Sequence, residues 1–310
     1  IIDGAVGSSR RVWVTIRETL VLLCIAIGLT PAFKMKFWNI GAEGQILMGG
    51  MATAALMIYA GDAMPNWLLL ILIFIASAAA GLIWGLIPAV FKAYFNTNET
   101  LFTLMLNYVA MQFVTFAIVF WENPSGSNTV GIINAAGQKG WFPSIFGNMY
   151  GLNVIVVLII TLGMYVYMKY SKQGYEIAVV GESQNTARYA GINVKKVIIR
   201  TMMLSGAICG IAGCLIVSGA SHTISTSTAG GRGFTAIIVA WMSKFNPFAM
   251  ILVSAFLVFM QQGSIQIASQ FGLNENASDI ITGILLFFLI GCEFFINYKL
   301  EWKKNHKEGK

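Results

Sequence analysis

The apolar residues of this chain neither alternate nor recur every third or fourth position; they come in long blocks broken by short polar runs. The block from Trp67 to Phe91 passes 25 residues without an Asp, Glu, Lys or Arg. About 20 apolar residues, at a rise of ~1.5 Å each, cross the hydrocarbon core of a bilayer. Such blocks therefore predict membrane-spanning helices. Spans are expected at 15–33, 44–60, 67–91, 101–121, 152–169, 197–219, 247–263 and 279–298, with a shorter segment at 232–243. The predicted fold is all-α and polytopic. It is a single membrane domain over residues 1–310 with about nine membrane segments, some broken or re-entrant.

Composition agrees: 57% of residues are hydrophobic and 11% are charged, against about 25% charged in an average soluble domain. The net charge of +7 needs its distribution read before it means anything. With the polar stretch after Tyr170 placed in the cytoplasm, 15 basic residues fall on cytoplasmic segments and 5 on the other side (Arg10, Arg11, Arg17, Lys139 and Arg232). That asymmetry obeys the positive-inside rule. The basic charge is then a topology signal and no nucleic-acid footprint, and the basic tail 299–310 is expected in the cytoplasm. Nine crossings that end inside begin outside. Ile1 to Arg11 thus reads as an external connection, with a tenth span expected before it.

Three places break the apolar pattern. Residues 171–196 form a polar stretch of 26 residues. Within it Glu182 to Ala190 suits a short helix, with Ser183 as N-cap and Gly191 as the left-handed residue after its end. On the positive side of a membrane, such a helix is either a docking point for a cytoplasmic partner or a solvated loop helix. The second break, Lys34 to Gln45, sets Glu43, Asn39, Gln45 and the aromatics Phe37 and Trp38 at the mouth of an apolar helix, with Gly41 and Gly44 allowing an unwound backbone. A carboxylate at membrane depth costs about 2.5–3.5 kcal/mol on insertion scales. Glu43 therefore faces a cavity or a donor, or else sits at an interfacial helix N-terminus. The third break, Ala229 to Thr235, precedes a segment too short to span. Short glycine-interrupted spans point to a transport path.

Energy-converting chemistry is absent from the sequence. No G-x-x-x-x-G-K-[ST] loop occurs, His222 and His306 are far apart, and the four cysteines sit singly in apolar blocks, so no metal site is expected. An ion-coupled carrier usually places acids deep in its spans, and an intramembrane enzyme needs a catalytic pair there. Neither pattern is present.

Four strings carry a resemblance. Phe37-Trp38-Asn39-Ile40-Gly41-Ala42-Glu43-Gly44-Gln45, Asn98-Glu99-Thr100-Leu101 through Asn107-Tyr108-Val109-Ala110, Gly181 through Ile192, and Gly233 through Ala240 resemble motifs of bacterial ABC transporter permeases of the nucleoside branch, relatives of simple-sugar and branched-chain amino-acid permeases. The likeness runs from about residue 15 to 298. Trp38 interrupts the first string, Ser183-Gln184-Asn185 departs from the third, and Arg232 stands where an acid is common. The resemblance implies a type II-like importer permease of the bacterial cytoplasmic membrane that is not itself an enzyme. Expected partners are a cytoplasmic ATPase carrying ATP and Mg, a second homologous permease and an external substrate-binding lipoprotein. No cofactor is expected on this chain. Glu182, Ser183, Thr186, Ala187, Arg188, Tyr189, Gly191 and Ile192 would then form the helix seated in the ATPase. Phe37, Trp38, Asn39, Glu43, Gln45, Asn107, Phe234 and Thr235 are expected to line or support the path for a nucleoside, or for a sugar such as ribose. Asn107→Ala is expected to slow uptake and leave assembly intact.

Overall fold

In the computed structural model, residues 2–145, 148–273, 277, 280–284, 287–288 and 291–292 are described. The elements follow as α1 (Ile2–Val6), α2 (Ser9–Lys34), α3 (Ala42–Ala60), α4 (Asn66–Phe95), α5 (Glu99–Trp121), α6 (Gly151–Tyr170), α7 (Lys172–Glu182), α8 (Gln184–Tyr189), α9 (Val194–Ile216), α10 (Arg232–Met242) and α11 (Pro247–Gln270). A π-helical turn, Val217–Ser221, prolongs α9. Among the described residues the elements are helices and no strand is present, and six helices are long and apolar enough to cross a membrane: α2, α4, α5, α6, α9 with its π turn, and α11. The expected count of about nine is not reached there. α3 carries Glu43, Gln45 and three glycines, which dilute its apolar character, and α10 is only 11 residues long. Of the expected span at 279–298 only residues 280–284, 287–288 and 291–292 are described, and the tail at 299–310 lies outside the described residues. Ile1–Arg11, read as a connection, contains α1 and the start of α2.

Two compact units divide the chain. One takes residues 1–15 with those after 255; the other takes residues 16–255 and holds every motif described above. In the smaller unit, α1 lies close enough to α11 that a methyl on Gly4 would reach 2.6 Å from the Gln266 Cβ. The Thr15 hydroxyl also donates to the Ala5 carbonyl.

The larger unit is built on α3, α4 and α9, whose backbones touch. A methyl added to Gly81 of α4 would come within 2.7 Å of the Gly210 Cα of α9, and one on Gly85 within 2.8 Å of the Met202 carbonyl oxygen. On α3, Gly49 abuts Gly210 equally closely. Hydrocarbon gives helices no hydrophobic reason to associate, so close packing of small residues has to supply the attraction. The Gly206-x-x-x-Gly210 and Gly81-x-x-x-Gly85 spacings place those residues on one helix face. By contrast, α5 touches this core through a single buried stripe, Thr103, Asn107, Ala110, Val114 and Ile118. Many of its other side chains, Phe113, Phe116 and Phe120 among them, are exposed, as side chains that meet lipid should be. Cys24, Cys209 and Cys214 are buried free thiols, as small apolar residues would be. Cys292 is exposed, contrary to that reading.

The ends of the bundle differ. At one end, residues 122–145 fold over α3, α4 and the π turn. Asn134 donates to the Met57 carbonyl at 2.7 Å, Ile133 N–H to the His222 carbonyl at 2.8 Å, and Trp141 stacks on His222 with centroids 3.7 Å apart. At the other end, α7 and α8 bury Ile177, Val180 and Ala187 in an apolar cluster with Ala32, Met35, Phe37, Ala89 and Met202.

A leucine at Gly210 must push α4 and α3 away from α9 together. We predict that Gly210→Leu abolishes accumulation of the permease or lowers its melting temperature sharply. Gly163→Leu, on an open face of α6, should leave both unchanged. Equal behaviour of the two variants in a detergent melting assay would contradict the packing described.

Candidate functional site

The second and third sequence breaks come together inside the bundle. Between α2 and α3 the chain leaves helix at Met35 and re-enters it at Ala42. This stretch lies deep. Asn39 donates to Ser205 at 3.2 Å, and Ser205 is 11 positions past Val194, where α9 begins. At ~1.5 Å per residue that is about 16 Å along α9 from its start, inside the bundle of apolar helices. Non-helical backbone at that depth is tolerated only when its polar groups are paired. The Thr103 hydroxyl accepts from Ile40 N–H at 3.2 Å, Asn39 Oδ1 from Gly41 N–H at 3.1 Å, and Asn107 Oδ1 from Gly44 N–H at 2.9 Å. Asn107 also donates to the Ile40 carbonyl at 2.9 Å. Thus α5 caps the start of α3 with its side chains. The unwound segment is 35–41, and Gly44 is already helical, so the glycine expected to loosen the backbone instead makes room: a methyl there would sit 2.9 Å from the Trp84 indole nitrogen.

The second helix start is that of α10. Gly230 and Gly231 both take left-handed backbone (φ +57° and +74°), and Glu43 Oε1 accepts from Gly233 N–H at 3.0 Å. The Phe234 N–H also reaches this carboxylate. A carboxylate is well placed at the positive end of a helix dipole. Glu43 therefore ties α3 to α10 and is itself 7% exposed. Gly233 has to be glycine, because a methyl would meet Glu43 N at 2.8 Å. Arg232, which departs from the resembled motif, pairs with Glu18 of α2 at 2.8 Å. Arg17 holds the same carboxylate. The entry to α10 is thereby fixed from two sides.

Where these pieces meet lies a cavity of about 250 Å³ lined by Glu43 and Leu47 of α3, Leu104, Asn107, Tyr108 and Met111 of α5, and Thr226, Ser227, Gly230, Gly231 and Phe234 at the approach to α10. Of the expected path residues, Glu43, Asn107 and Phe234 line it. The others do not. Asn39 and Gln45 are fully buried against each other and Ser205, while Phe37 belongs to the cluster under α7 and α8. Trp38 stacks on Trp241 at 5.4 Å, and the Thr235 hydroxyl donates to the Gly231 carbonyl at 3.3 Å. Tyr108, Thr226 and Ser227 were missed. Tyr108 was within reach, because Leu104, Asn107, Tyr108 and Met111 follow the helical spacing of one face. Asn107→Ala would strip the Gly44 N–H and the Ile40 carbonyl of their partner, at about 1–3 kcal/mol for each group left unpaired, so a loss of stability is expected beside any loss of uptake.

The polar stretch 171–196 folds as two helices rather than one. Ser171 caps α7 by accepting from Gly174 N–H at 2.9 Å. Ser183 caps α8, accepting from Thr186 N–H at 3.2 Å, and Gly191 takes the left-handed conformation (φ +76°). Ala187 is buried, whereas Glu182, Thr186, Arg188 and Gly191 are exposed and Tyr189 is 94% exposed; Ser183 and Ile192 are half-buried. A lone turn-and-a-half helix thus presents a nearly continuous polar face on an apolar anchor.

An unwound helix start facing a second one across a small cavity, among apolar helices, suits a membrane transport protein. The chain belongs to the family described as branched-chain amino acid transport system, permease component, whose profile matches residues 14–290. It is similar to a guanosine ABC transporter permease of Bacillus subtilis (29% identity over 93% of this chain and 83% of that protein) and to a nucleoside ABC transporter permease of Lactococcus lactis (26%, over 96% and 83%). A glucose ABC transporter permease of Haloferax volcanii is 28% identical over 91% of this chain and 76% of that protein. No solved structure matches the chain. It is thus an ABC transporter permease, a multi-pass protein of the cytoplasmic membrane and not itself an enzyme.

The Glu43 clamp makes a graded prediction. Glu43→Gln keeps an oxygen to accept from Gly233, whereas Glu43→Leu leaves that N–H unpaired at membrane depth. Uptake normalised to permease in the membrane should fall roughly tenfold for Leu, the factor that ~1.4 kcal/mol represents, and much less for Gln. Equal losses would mean that the charge, rather than the cap, is required.

Proposed function

We propose that this chain is the membrane subunit of an ATP-driven importer for nucleosides. The observation that carries the reading is the composition of the cavity between the starts of α3 and α10. It joins two aromatic rings, Tyr108 and Phe234, to Asn107, Thr226 and Ser227. A nucleoside offers a base whose face suits an aromatic ring and a ribose whose hydroxyls suit amides and hydroxyls. Contacts of about 0.5–1.5 kcal/mol each hold a passing solute without trapping it. Tyr108 is 59% exposed on the outer face of α5, where a second permease subunit would complete the passage. The guanosine and nucleoside permeases among the relatives support this substrate class. A simple sugar is the second reading, favoured by the glucose permease. Uptake by the reconstituted complex decides between them. Labelled nucleosides are expected to accumulate and compete with one another, while ribose and glucose do not. Accumulation of a free sugar without nucleoside competition would overturn the reading.

The same proposal makes α8 the coupling helix, with Gln184, Asn185, Arg188 and Tyr189 directed at a cytoplasmic ATPase that carries ATP and Mg. The C-terminus then lies in the cytoplasm. The opposite end, covered by residues 122–145, would receive the external substrate-binding lipoprotein. Arg188→Glu is expected to leave the permease folded, since the side chain is exposed, yet to break its association with the ATPase or its transport. Normal co-purification together with normal transport would remove α8 from the coupling role.

A further inference from the structure

A second cavity, of about 490 Å³, lies where α2, α6 and α10 end and α11 begins, and three lysines line it: Lys34, Lys169 and Lys244. No carboxylate is among its lining residues, and none of the ion pairs among the described residues includes these lysines. The ordinary explanation for a lysine at a helix end is that it satisfies the last carbonyls. Here that explanation fails: Lys169 donates to the Tyr165 hydroxyl at 2.9 Å, and among the described residues neither the Lys34 nor the Lys244 side chain has a hydrogen-bond partner. Lys34 is moreover half-buried. Each helix end contributes only about half a negative charge, so the cavity is positive overall.

The backbone is shaped for this arrangement. Lys244 and Phe245 are consecutive residues in left-handed conformation (φ 48° and 59°), which non-glycine residues adopt at a cost. The turn sets Lys244 and the Phe245 ring on the cavity wall, and Asn246 then caps α11 by accepting from Phe248 N–H at 3.0 Å. The cavity also runs inward. Ile27 lines it 7 positions before Lys34 on α2, about 10 Å deeper at ~1.5 Å per residue. Met164, Met168 and Phe248 give its walls an apolar character. A site with three cations at helix ends and the apolar side chains of Ile27, Met164 and Met168 along its wall fits an anion with an attached acyl chain better than a free ion.

We infer that this cavity binds the phosphate-bearing headgroup of an anionic phospholipid, with Lys34, Lys169 and Lys244 around the phosphate and the first acyl segment against Ile27 and Met164. Basic pockets between spans on the cytoplasmic side hold such headgroups in other membrane proteins. The inference is independent of what the permease carries. The assembled transporter, placed in nanodiscs of phosphatidylcholine alone or mixed with phosphatidylglycerol, provides the test. Native mass spectrometry should find phosphatidylglycerol retained by the wild type after phosphatidylcholine is lost, and melting should shift upward in the mixed discs. Lys34→Gln and Lys244→Gln should each lower that retention roughly fivefold, and Lys→Arg at the same positions should keep it. Equal retention of both lipids by the wild type overturns the proposal, a comparison that needs no variant to fold. Retention unchanged by the Gln substitutions overturns it too. If inorganic phosphate added to phosphatidylcholine discs reproduces the melting shift, the site belongs to a free anion and the lipid assignment fails.

Discussion

Backbone contact among α3, α4 and α9 is the constraint on which everything else in the larger unit depends. Lipid and leucine are equally apolar, so three helices in a membrane stay together only where their surfaces fit closely. Gly81, Gly206 and Gly210 let carbonyls and Cα atoms meet where any side chain would intrude. That closeness fixes the register of α3 against α9, and with it the depth at which α3 starts. A longer separation would let the unwound segment before α3 slide, and its pairing with Ser205, Thr103 and Asn107 would be lost.

The depth of that start explains why so many polar residues are buried in an apolar protein. Helix termini leave several N–H groups unpaired, and inside a bundle of apolar helices no water replaces the missing partners. Asn107, Thr103 and Asn39 serve the start of α3, and Glu43 serves the start of α10. Two helix beginnings then converge on one small space. The groups that close the backbone accounts of α3 and α10 are partly the groups that face the cavity. Glu43 and Asn107 thus both hold backbone and line the cavity, while Asn39 and Gln45 are buried away from it.

This division shows what a single sequence can and cannot disclose. The caps of α8 were legible because Ser183 and Gly191 act on backbone within a few residues of themselves. The broken character of the segment before α3 was legible too, since glycines and amides interrupt an apolar run there. Which amide faces the cavity was not, because the deciding partners lie on other helices: Ser205 of α9 for Asn39, and the starts of α3 and α10 for Asn107 and Glu43. α7 stayed hidden inside a stretch read as polar loop. Its buried positions, Gly174, Ile177, Val180 and Gly181, follow helical spacing but are too few to stand out among Gln, Tyr and Glu. The count of about nine segments is not confirmed among the described residues, where six helices are long and apolar enough to cross and α10 has only 11 residues.

One cluster links the exposed α8 to this interior. Ala187 packs with Ile177 and Val180 against Phe37, Ala32 and Met202, and Gly181 lies hard against the backbone at the end of α2. Phe37 is two residues from Asn39 in the unwound segment, which holds the start of α3 in place, and α3 in turn holds α10 through Glu43. Interiors are close-packed and transmit displacement rather than absorbing it. A shift of α8 therefore has no soft element to dissipate it before residues 37–41, the non-helical backbone within the packed core. Those residues are held by side-chain hydrogen bonds of about 1 kcal/mol net each, weaker as a group than the backbone packing of α4 on α9. The unwound segment, rather than the glycine-packed helices, is where a displacement originating at α8 has to be taken up, and the cavity wall formed by Glu43 and Leu47 begins immediately after it.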